Sequence, residues 1–384
     1  MHIVYCTPAL YMAGGVERVL TLKANYLADV AGCEVTIVLT DGKGRQPYFP
    51  LSERVRVVQL DVGFETLWNC SFLQKIPVYL QKQRRYRRLL AETLERLHPD
   101  ITVSTLRREI NFLCSLHDGS RKVGELHVNR ANYRNFELGD SNAVKRLFSH
   151  YWSWQLLRQL RRLDRFVVLT EEDRQAWPEL DNVSVVPNPL PGLPVSVSTL
   201  QQKRVIAAGR YVYQKGFDML LQAWQQVEGQ HPDWQLVVYG EGDRTPYEQL
   251  AERLHLDPAR CRLCGPTQRL ADQLTASGLF VFPSRFEGFG MVLLEAMACG
   301  LPCVSFACPC GPRDIVTHDV NGLLVPAGDV AALAEAMHHV MSSPQLARRL
   351  ATAARGRAAQ YDIAHIGARW QQLFSDLCSR PKAE

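Results

Sequence analysis

The stretch from Phe282 to Cys303, FPSRFEGFGMVLLEAMACGLPC, contains a loop with two glycines followed by a helix-forming run. An apolar run of strand length, residues 278–282, precedes the loop. Residues 291–298 have helix-forming composition with apolar side chains on all sides, which predicts a buried helix that ends at Gly300. A second strand begins at the end of the stretch. The order of these segments predicts a βαβ unit of a parallel sheet, and such sheets bind ligands at the carboxyl ends of their strands.

The glycine loop has the chemistry of an anion site. Gly288 and Gly290 allow backbone N–H groups to approach a ligand closely, and the following helix offers its N-terminal N–H groups and positive dipole end to phosphate. Two carboxylates, Glu287 in the loop and Glu295 in the helix, suit hydroxyl groups rather than phosphate oxygens. A ribose and a hexose on either side of a diphosphate would supply those hydroxyls.

The string E-G-F-G-x-x-x-L-E-A-M-A-x-G-L-P resembles the two-glutamate motif of retaining glycosyltransferases of family 4, of the bacterial surface-polysaccharide type. The resemblance implies the GT-B fold, an α/β architecture in which two Rossmann-like domains face each other across a cleft. It implies that Glu287 contacts the donor sugar and that Glu295 holds the ribose. It also implies that the loop backbone binds the donor through Gly288, Phe289, Gly290 and Met291.

A second segment also has charges suited to a diphosphate. Arg210 and Lys215 bracket a loop that follows the predicted strand at residues 205–208. Two cations at this position would stabilise a diphosphate as a leaving group. The pattern G-R-x4-K-G-x3-L resembles the donor-phosphate pair of the family, and by the same resemblance the turn at Gly240 and Glu241 lies near the nucleotide base.

The first part of the chain offers weaker site residues. Gly14 and Gly15 follow the predicted strand His2–Thr7, but they do not form the G-x-G-x-x-G dinucleotide fingerprint. The resemblance places them on the donor, while a turn that needs only glycine freedom explains them equally well. His127 follows a strand predicted over residues 122–126. The resemblance places it beside the reacting sugar, and the alternative is a histidine whose hydrogen bonds are satisfied by local backbone.

The length of 384 residues predicts two domains. A proline-dense segment at residues 187–194 predicts the linker between them. We therefore predict an acceptor-side domain over residues 1–189 and a nucleotide-sugar-binding domain over residues 190–360. The resemblance implies that a final helix, residues 361–384, crosses back to the first domain.

The composition, 46% hydrophobic and 22% charged residues, is typical of a globular protein. No apolar run reaches the roughly 18 residues of a membrane-spanning helix, and the N-terminus lacks the regions of a signal peptide. We therefore expect a cytoplasmic protein. Eleven scattered cysteines fit reduced thiols, and the pair Cys261 and Cys264 is expected to lie on opposite sides of a strand rather than to bind zinc.

Two basic segments interrupt this pattern. Residues 61–81 are predicted to be irregular, and a helix over residues 82–96 carries five cations within 82–88. A second helix, predicted over residues 145–165, has an apolar face and an arginine face: Trp152, Leu156, Leu160 and Leu163 against Arg158, Arg161, Arg162 and Arg165. Both segments could contact the anionic inner surface of the cell membrane, or they could be packed helices with solvated charges. No nucleic-acid recognition motif accompanies the charge.

These features predict a retaining hexosyltransferase that moves a hexose or N-acetylhexosamine from a nucleotide sugar, UDP-linked in the common family case. The predicted acceptor is a saccharide, lipid-linked, for a surface polysaccharide such as lipopolysaccharide, capsule or exopolysaccharide. No D-x-D string suits a catalytic metal, so neither a metal nor a cofactor is expected. The predicted catalytic residues are Glu287, His127, Arg210 and Lys215. The alternatives are a sugar-nucleotide epimerase on the same fold and a non-catalytic partner subunit.

Overall fold

The computed structural model describes residues 1–69, 72–133 and 153–381. The chain divides into two compact units. Unit 1 comprises Met1–Pro189 and Ile363–Glu384, and unit 2 comprises Leu190–Asp362. Unit 1 is therefore built from both ends of the chain.

Unit 1 is organised around a parallel sheet whose strands are almost entirely buried toward its centre. The strands are β1 (His2–Thr7), β2 (Glu34–Leu39), β3 (Val55–Gln59), β4 (Ile101–Ser104), β5 (Arg121–Glu125), β6 (Arg165–Val168) and β7 (Val183–Val185). Their order is β3-β2-β1-β4-β5-β6-β7. Near-continuous Val and Ile runs explain the central strands, because helices cover both faces of such a sheet. The α-helices described before residue 189 are α1 (Gly15–Asp29), α2 (Phe72–Leu97), α3 (153–161) and α4 (Glu171–Gln175).

Helix α2 corrects the prediction that residues 61–81 are irregular. It begins at Phe72 and passes through Pro77. Proline lacks an N–H group, so at this interior position, the sixth residue of the helix, it removes one intrahelical hydrogen bond. Further along α2, Tyr86 and Leu90 are fully buried against the sheet. This packing stabilises a helix that local sequence preference alone would have started later.

The helix predicted over residues 145–165 falls partly outside the described residues, including Trp152. The described part, α3, ends at residue 161, and Arg165 belongs to β6 rather than to the helix. The side-chain amide of Asn182 donates to the carbonyl oxygens of Leu160 (2.9 Å) and Leu163 (2.8 Å), which satisfies the end of the helix. The predicted faces are otherwise present. Leu156, Leu160 and Leu163 are buried, whereas Arg158, Arg161 and Arg162 are exposed.

Unit 2 contains a parallel sheet of six described strands in the order β10-β9-β8-β11-β12-β13. They are β8 (Arg204–Ala208), β9 (Gln235–Tyr239), β10 (Cys261–Cys264), β11 (Leu279–Phe282), β12 (Cys303–Phe306) and β13 (Leu323–Val325). The helices are α5 (Phe217–Glu228), α6 (Thr245–Arg253), α7 (Leu270–Thr275), α8 (Met291–Ala298), α9 (Pro312–Ile315), α10 (Val330–Ser342) and α11 (Pro344–Ala359). The βαβ unit predicted from the opening stretch is confirmed as β11, α8 and β12.

The strand order of unit 2 positions a ligand site. From β8 the chain continues to β9 on one side of the sheet, and from β11 it continues to β12 on the other side. The neighbouring strands β8 and β11 therefore form the topological switch point, where the loops separate and leave a crevice at the carboxyl ends. The two loops that carry the predicted donor residues leave from these two strands.

The last helix, α12 (Ile363–Ser379), belongs to unit 1 and packs against α1. Its Trp370 and Phe374 side chains are almost fully buried in the core that α1 and β1 also line. The N-terminal sheet thus receives part of its core from the C-terminal end of the chain.

Two sequence expectations concern cysteines and membranes. The ten cysteines in the described ranges are all free thiols. Among the described helices, none combines the length and the apolar character that crossing a bilayer needs.

Candidate functional site

Three loops meet at the switch point of unit 2 through glycine contacts. Gly216, with φ of 64°, precedes α5, and a Cβ atom there would lie 2.0 Å from the carbonyl oxygen of Pro283. Gly311, with φ of 117°, precedes α9, and a Cβ atom there would lie 1.9 Å from the carbonyl oxygen of Phe289. Only glycine fits these positions. The loops after β8, β11 and β12 are consequently packed backbone to backbone.

A fourth loop, after β9, approaches in the same way. A Cβ atom on Gly240 would lie 1.9 Å from the carbonyl oxygen of Gly209. The Tyr211 backbone N–H donates to the carbonyl oxygen of Glu241 (2.7 Å). The Tyr211 hydroxyl lies between two other carbonyl oxygens, those of Val238 (3.0 Å) and Cys264 (2.9 Å). The turn assigned to the nucleotide base is thereby fixed beside the loop that carries Arg210, whose side chain is exposed.

The structure brings two predicted site residues into direct contact. The Lys215 ammonium donates to Glu287 Oε1 at 2.6 Å, and the two side chains are 15% and 7% exposed. Gln214 holds the same loop by donating to the carbonyl oxygen of Phe286 (2.9 Å). The sequence motifs assign Lys215 to phosphate and Glu287 to the sugar, as separate residues. Their pairing was not predicted, since they are far apart in sequence and only the fold makes them neighbours.

A second ion pair, which the sequence motifs do not predict, joins the start of α5 to the loop after β11. Arg285 donates to both carboxylate oxygens of Asp218, at 2.8 and 2.6 Å, and to the carbonyl oxygen of Tyr213 at 2.8 Å. Burial acts to raise the pKa of Asp218, but the hydrogen bonds and charge of Arg285 outweigh it and hold this pKa below its usual value. Arg285 thereby joins the loop after β11 to the start of α5 and to the loop that precedes α5. No motif in the sequence links Arg285 to Asp218, because the two residues are far apart along the chain.

Helix α8 presents its N-terminus at the crevice. Gly290 caps the helix with φ of 94°, and Met291 is its first residue. The first N–H groups of a helix have no intrahelical acceptors, so they can bind an anion. Glu295 lies half-buried on the same helix, just over one turn further along. Helix α8 thus supplies both backbone N–H donors and a carboxylate, directly after the loop that carries Glu287.

In unit 1 the structure places Gly14 and Gly15 at the start of α1. Gly14 is the extended N-cap residue, and a Cβ atom there would lie 2.0 Å from the Glu17 carboxylate. A carboxylate folded over a helix N-terminus already interacts with its positive dipole end. This arrangement suits a hydroxyl-bearing ligand better than a phosphate at this end of α1.

His127 follows the end of β5, and its side chain is 6% exposed. Burial lowers the pKa of His127 to about 4, with Lys23 and Arg107 acting in the same direction and Glu125 opposing them. The ring is therefore neutral at physiological pH. Within the described part of the chain, neither ring nitrogen has a hydrogen-bond partner. Among the described residues, no backbone group forms a hydrogen bond with the ring.

Comparison with known proteins identifies the family. A model described as Glycosyltransferase Family 4 matches residues 13–191, and a model described as Glycosyl transferases group 1 matches residues 194–357. Together they span almost the whole chain. The chain belongs to glycosyltransferase family 4. As a member of this family it is a glycosyltransferase with the GT-B fold, acting between a nucleotide-sugar donor and a saccharide acceptor.

Individual relatives of this family 4 member include an uncharacterised glycosyltransferase of Haemophilus influenzae, 26% identical over 94% of this chain and 96% of that protein. The amylovoran biosynthesis glycosyltransferase AmsD of Erwinia amylovora is 30% identical over 55% of this chain and 62% of that protein. Among solved structures, HepE of Anabaena in complex with UDP and glucose has a TM-score of 0.71 at 20% identity, over 98% of this chain and 100% of that chain. This last likeness concerns the fold.

Proposed function

We propose that the chain is a retaining, metal-independent hexosyltransferase. It transfers a hexose or N-acetylhexosamine from a UDP-sugar to a lipid-linked saccharide during synthesis of a bacterial surface polysaccharide. The observation that carries this proposal is the Lys215–Glu287 pair at the switch point of unit 2, 2.6 Å between ammonium and carboxylate. A cation suits a diphosphate and a carboxylate suits a sugar hydroxyl, and this pair places the two groups side by side.

Binding of the donor would redistribute these contacts. Lys215 and the exposed Arg210 turn to the diphosphate, the N-terminus of α8 adds its N–H groups, and Glu287 accepts hydrogen bonds from the sugar hydroxyls. Glu295 accepts those of the ribose. The UDP and glucose in the HepE complex support the choice of donor, and the role of AmsD in amylovoran biosynthesis supports the choice of product.

The transfer itself balances without an added base. The acceptor oxygen bonds to the anomeric carbon on the face from which the diphosphate leaves, so the configuration is retained. The bond between that carbon and the diphosphate oxygen breaks, and the acceptor proton passes to a diphosphate oxygen. Lys215, Arg210 and the helix N-terminus stabilise the charge that develops on the leaving group, which is the electrostatic task of a metal in other enzymes.

Thermal unfolding in the presence of nucleotides tests the donor site. A ligand that binds only the folded protein at 100 times its Kd stabilises it by about 2.7 kcal/mol. We expect UDP and one UDP-sugar to raise the Tm by several degrees with EDTA present, because the site holds the diphosphate with cations of its own. The Arg210→Ala and Glu295→Ala variants should lose this shift.

The control for this experiment is the same panel with GDP, ADP and their sugars, each measured with and without Mg²⁺. A shift that requires Mg²⁺ contradicts the metal-independent proposal. If only GDP raises the Tm, the proposed donor base changes from uracil to guanine and the proposed site stays the same. Recovery of an epimerised nucleotide sugar, rather than a glycosylated acceptor, would overturn the transferase proposal.

We also propose that α2 holds the enzyme on an anionic membrane surface, where a lipid-linked acceptor resides. Ile76 and Leu80 are 60% and 50% exposed on this helix, one turn apart. Arg84 and Arg88 continue the exposed face and line two neighbouring cavities of about 450 and 540 Å³. Apolar side chains beside a cluster of arginines suit the boundary between lipid headgroups and acyl chains.

One member of the predicted basic segment has a different role. The Lys82 ammonium is turned inward and donates to the carbonyl oxygens of Val62 and Gly63, both at 2.8 Å. The exposed cations of the segment are Arg84, Arg85, Arg87 and Arg88. The other predicted membrane segment, residues 145–165, lies outside the described residues as far as residue 152.

Vesicle cosedimentation tests the membrane proposal. The Arg84→Glu/Arg88→Glu variant should bind vesicles containing phosphatidylglycerol at least ten-fold more weakly, since each cation near such a surface contributes about 1 kcal/mol. The matched control, Arg253→Glu/Arg348→Glu, makes the same charge change on exposed helices of unit 2 and should bind as the wild type does. Equal loss in both variants would mean that only net charge matters, and no binding by the wild type would reject the surface.

A further inference from the structure

A fully buried ion pair lies in the core of unit 1. The Lys23 ammonium of α1 donates to Glu125 Oε1 at the carboxyl end of β5, and each side chain is 1% exposed. The ammonium also lies 4.2 Å above the ring of Trp370 and 5.5 Å from that of Tyr5. Burying two charges is expensive, and apolar side chains of similar volume often stabilise a core as well or better. Stability alone is therefore a weak explanation for the pair.

The same carboxylate faces the candidate catalytic histidine. Glu125 Oε1 lies 3.4 Å from His127 Nε2. Within the described residues, Glu125 Oε2 and both ring nitrogens of His127 are buried without a hydrogen-bond partner. An unpartnered buried polar group is rare in native proteins and usually marks a functional site or a bound water. These atoms sit at the carboxyl edge of the sheet, where parallel sheets bind their ligands.

We propose that Glu125 is a positioning residue for His127, and that Lys23 keeps Glu125 ionised for this purpose; this rests on the proposed function. The carboxylate fixes the proton of the neutral imidazole on Nε2. It thereby leaves Nδ1, which is buried here, as the acceptor of a hydrogen bond from a sugar hydroxyl once binding of the sugar uncovers it.

The tautomer follows from elementary electrostatics. A neutral imidazole carries one proton, and the nitrogen that faces a carboxylate is the one that holds it. A small tightening of the 3.4 Å approach makes this contact a hydrogen bond. The other nitrogen then has a lone pair for a donor, and a sugar hydroxyl is such a donor.

The charges around His127 keep its ring neutral. Lys23 from α1 and Arg107 from the loop after β4 disfavour a proton on the ring, and Glu125 from β5 favours it. Burial acts to raise the pKa of Glu125, but the charge and hydrogen bond of the Lys23 ammonium oppose it, and this pKa lies below its usual value. An ionised Glu125 beside a neutral His127 is the state that fixes a single tautomer. Without Lys23, the proton could move onto either partner.

The nitrogen NMR spectrum of the intact protein with labelled histidine tests the tautomer directly. The His127 signals, assigned by their loss in His127→Gln, should show a protonated Nε2 and an unprotonated Nδ1 from pH 6 to pH 8. In the Lys23→Met/Glu125→Leu variant, which replaces the ion pair by apolar side chains, both tautomers should appear. A single Nε2–H tautomer in that variant would overturn the proposal.

Transfer kinetics supply the second readout. The same double variant should lose roughly 10- to 100-fold in kcat, the loss typical of removing a carboxylate that orients a metal-bound histidine, with little change in the donor KM. The matched control is Lys122→Met/Asp118→Leu, which removes another buried pair, 7% and 2% exposed, near the amino end of β5. Full activity in the Lys23 double variant would reject the role. If the wild type transfers no sugar from any donor, the proposed function fails, and the NMR result still decides the tautomer.

Discussion

We expect the Lys215→Met variant to lose about 1000-fold in kcat/KM for sugar transfer, the range found when a single preorganised group that stabilises transition-state charge is removed. Lys215 is the cation that the structure holds at the crevice by its contact with Glu287. Methionine keeps much of the length of the side chain and removes the charge. Steady-state kinetics with the donor identified by thermal shift would measure the loss.

Two further variants separate catalysis from folding. In Lys215→Met the Glu287 carboxylate loses its partner in a nearly buried site, which also destabilises the protein. The Lys215→Met/Glu287→Gln variant removes both charges and should regain stability without regaining activity. Lys203→Met removes the lysine of an exposed pair with Asp233 before β8, 55% and 53% exposed, and should retain wild-type kinetics. Near-normal transfer by Lys215→Met would remove this lysine from the mechanism.

The Gly216→Ala variant should be destabilised by on the order of 3 kcal/mol, which lowers the Tm of a unit of this size by roughly 10 °C. Two effects add at this position. An alanine in the left-handed region costs about 1 kcal/mol, and its Cβ atom would lie 2.0 Å from the carbonyl oxygen of Pro283. The overlap is with backbone, so no side-chain movement can relieve it. Scanning calorimetry would measure the shift.

Gly328 provides the matched control for this variant. It also has a positive φ, 82°, but a Cβ atom there would meet no other atom within 4 Å. Gly328→Ala should therefore lose only the roughly 1 kcal/mol of stability that a left-handed backbone costs an alanine. Equal Tm values for the two variants would mean that the loops separate without penalty. The close backbone contact would then contribute nothing to the shape of the crevice.

The sequence predicted the fold where local and tertiary preferences agree. The segment from β11 to β12 is such a case. Its short apolar run, its two glycines and its run of helix-forming residues all predict the same strand, loop and helix. The start of α2 was predicted wrongly, since Pro77 argues locally against a helix that later residues stabilise by burial. The end of α3 depends on the Asn182 amide, which comes from a distant part of the chain.

The candidate site was predictable residue by residue but not as a set of contacts. The motif placed Glu287 and Lys215 in the crevice, yet their ion pair and the neighbouring Arg285–Asp218 pair depend on which strands are adjacent. The charges behind His127 were missed for a related reason. Lys23 and Glu125 lie within apolar segments that the sequence predicts to be core. Only the packing of α1 on the parallel sheet brings the two residues into contact.

The core of unit 1 is completed by Trp370 and Phe374 near the end of the chain. During synthesis the first 189 residues leave the ribosome with this part of their core missing and with Lys23 lacking its aromatic cover. Unit 2, a continuous stretch, can fold as soon as it emerges. Unit 1, whose first 189 residues are synthesised before unit 2, thus completes its core only after unit 2 has been synthesised. A messenger cut short before α12 gives a chain that carries the donor residues of unit 2 without an intact partner domain.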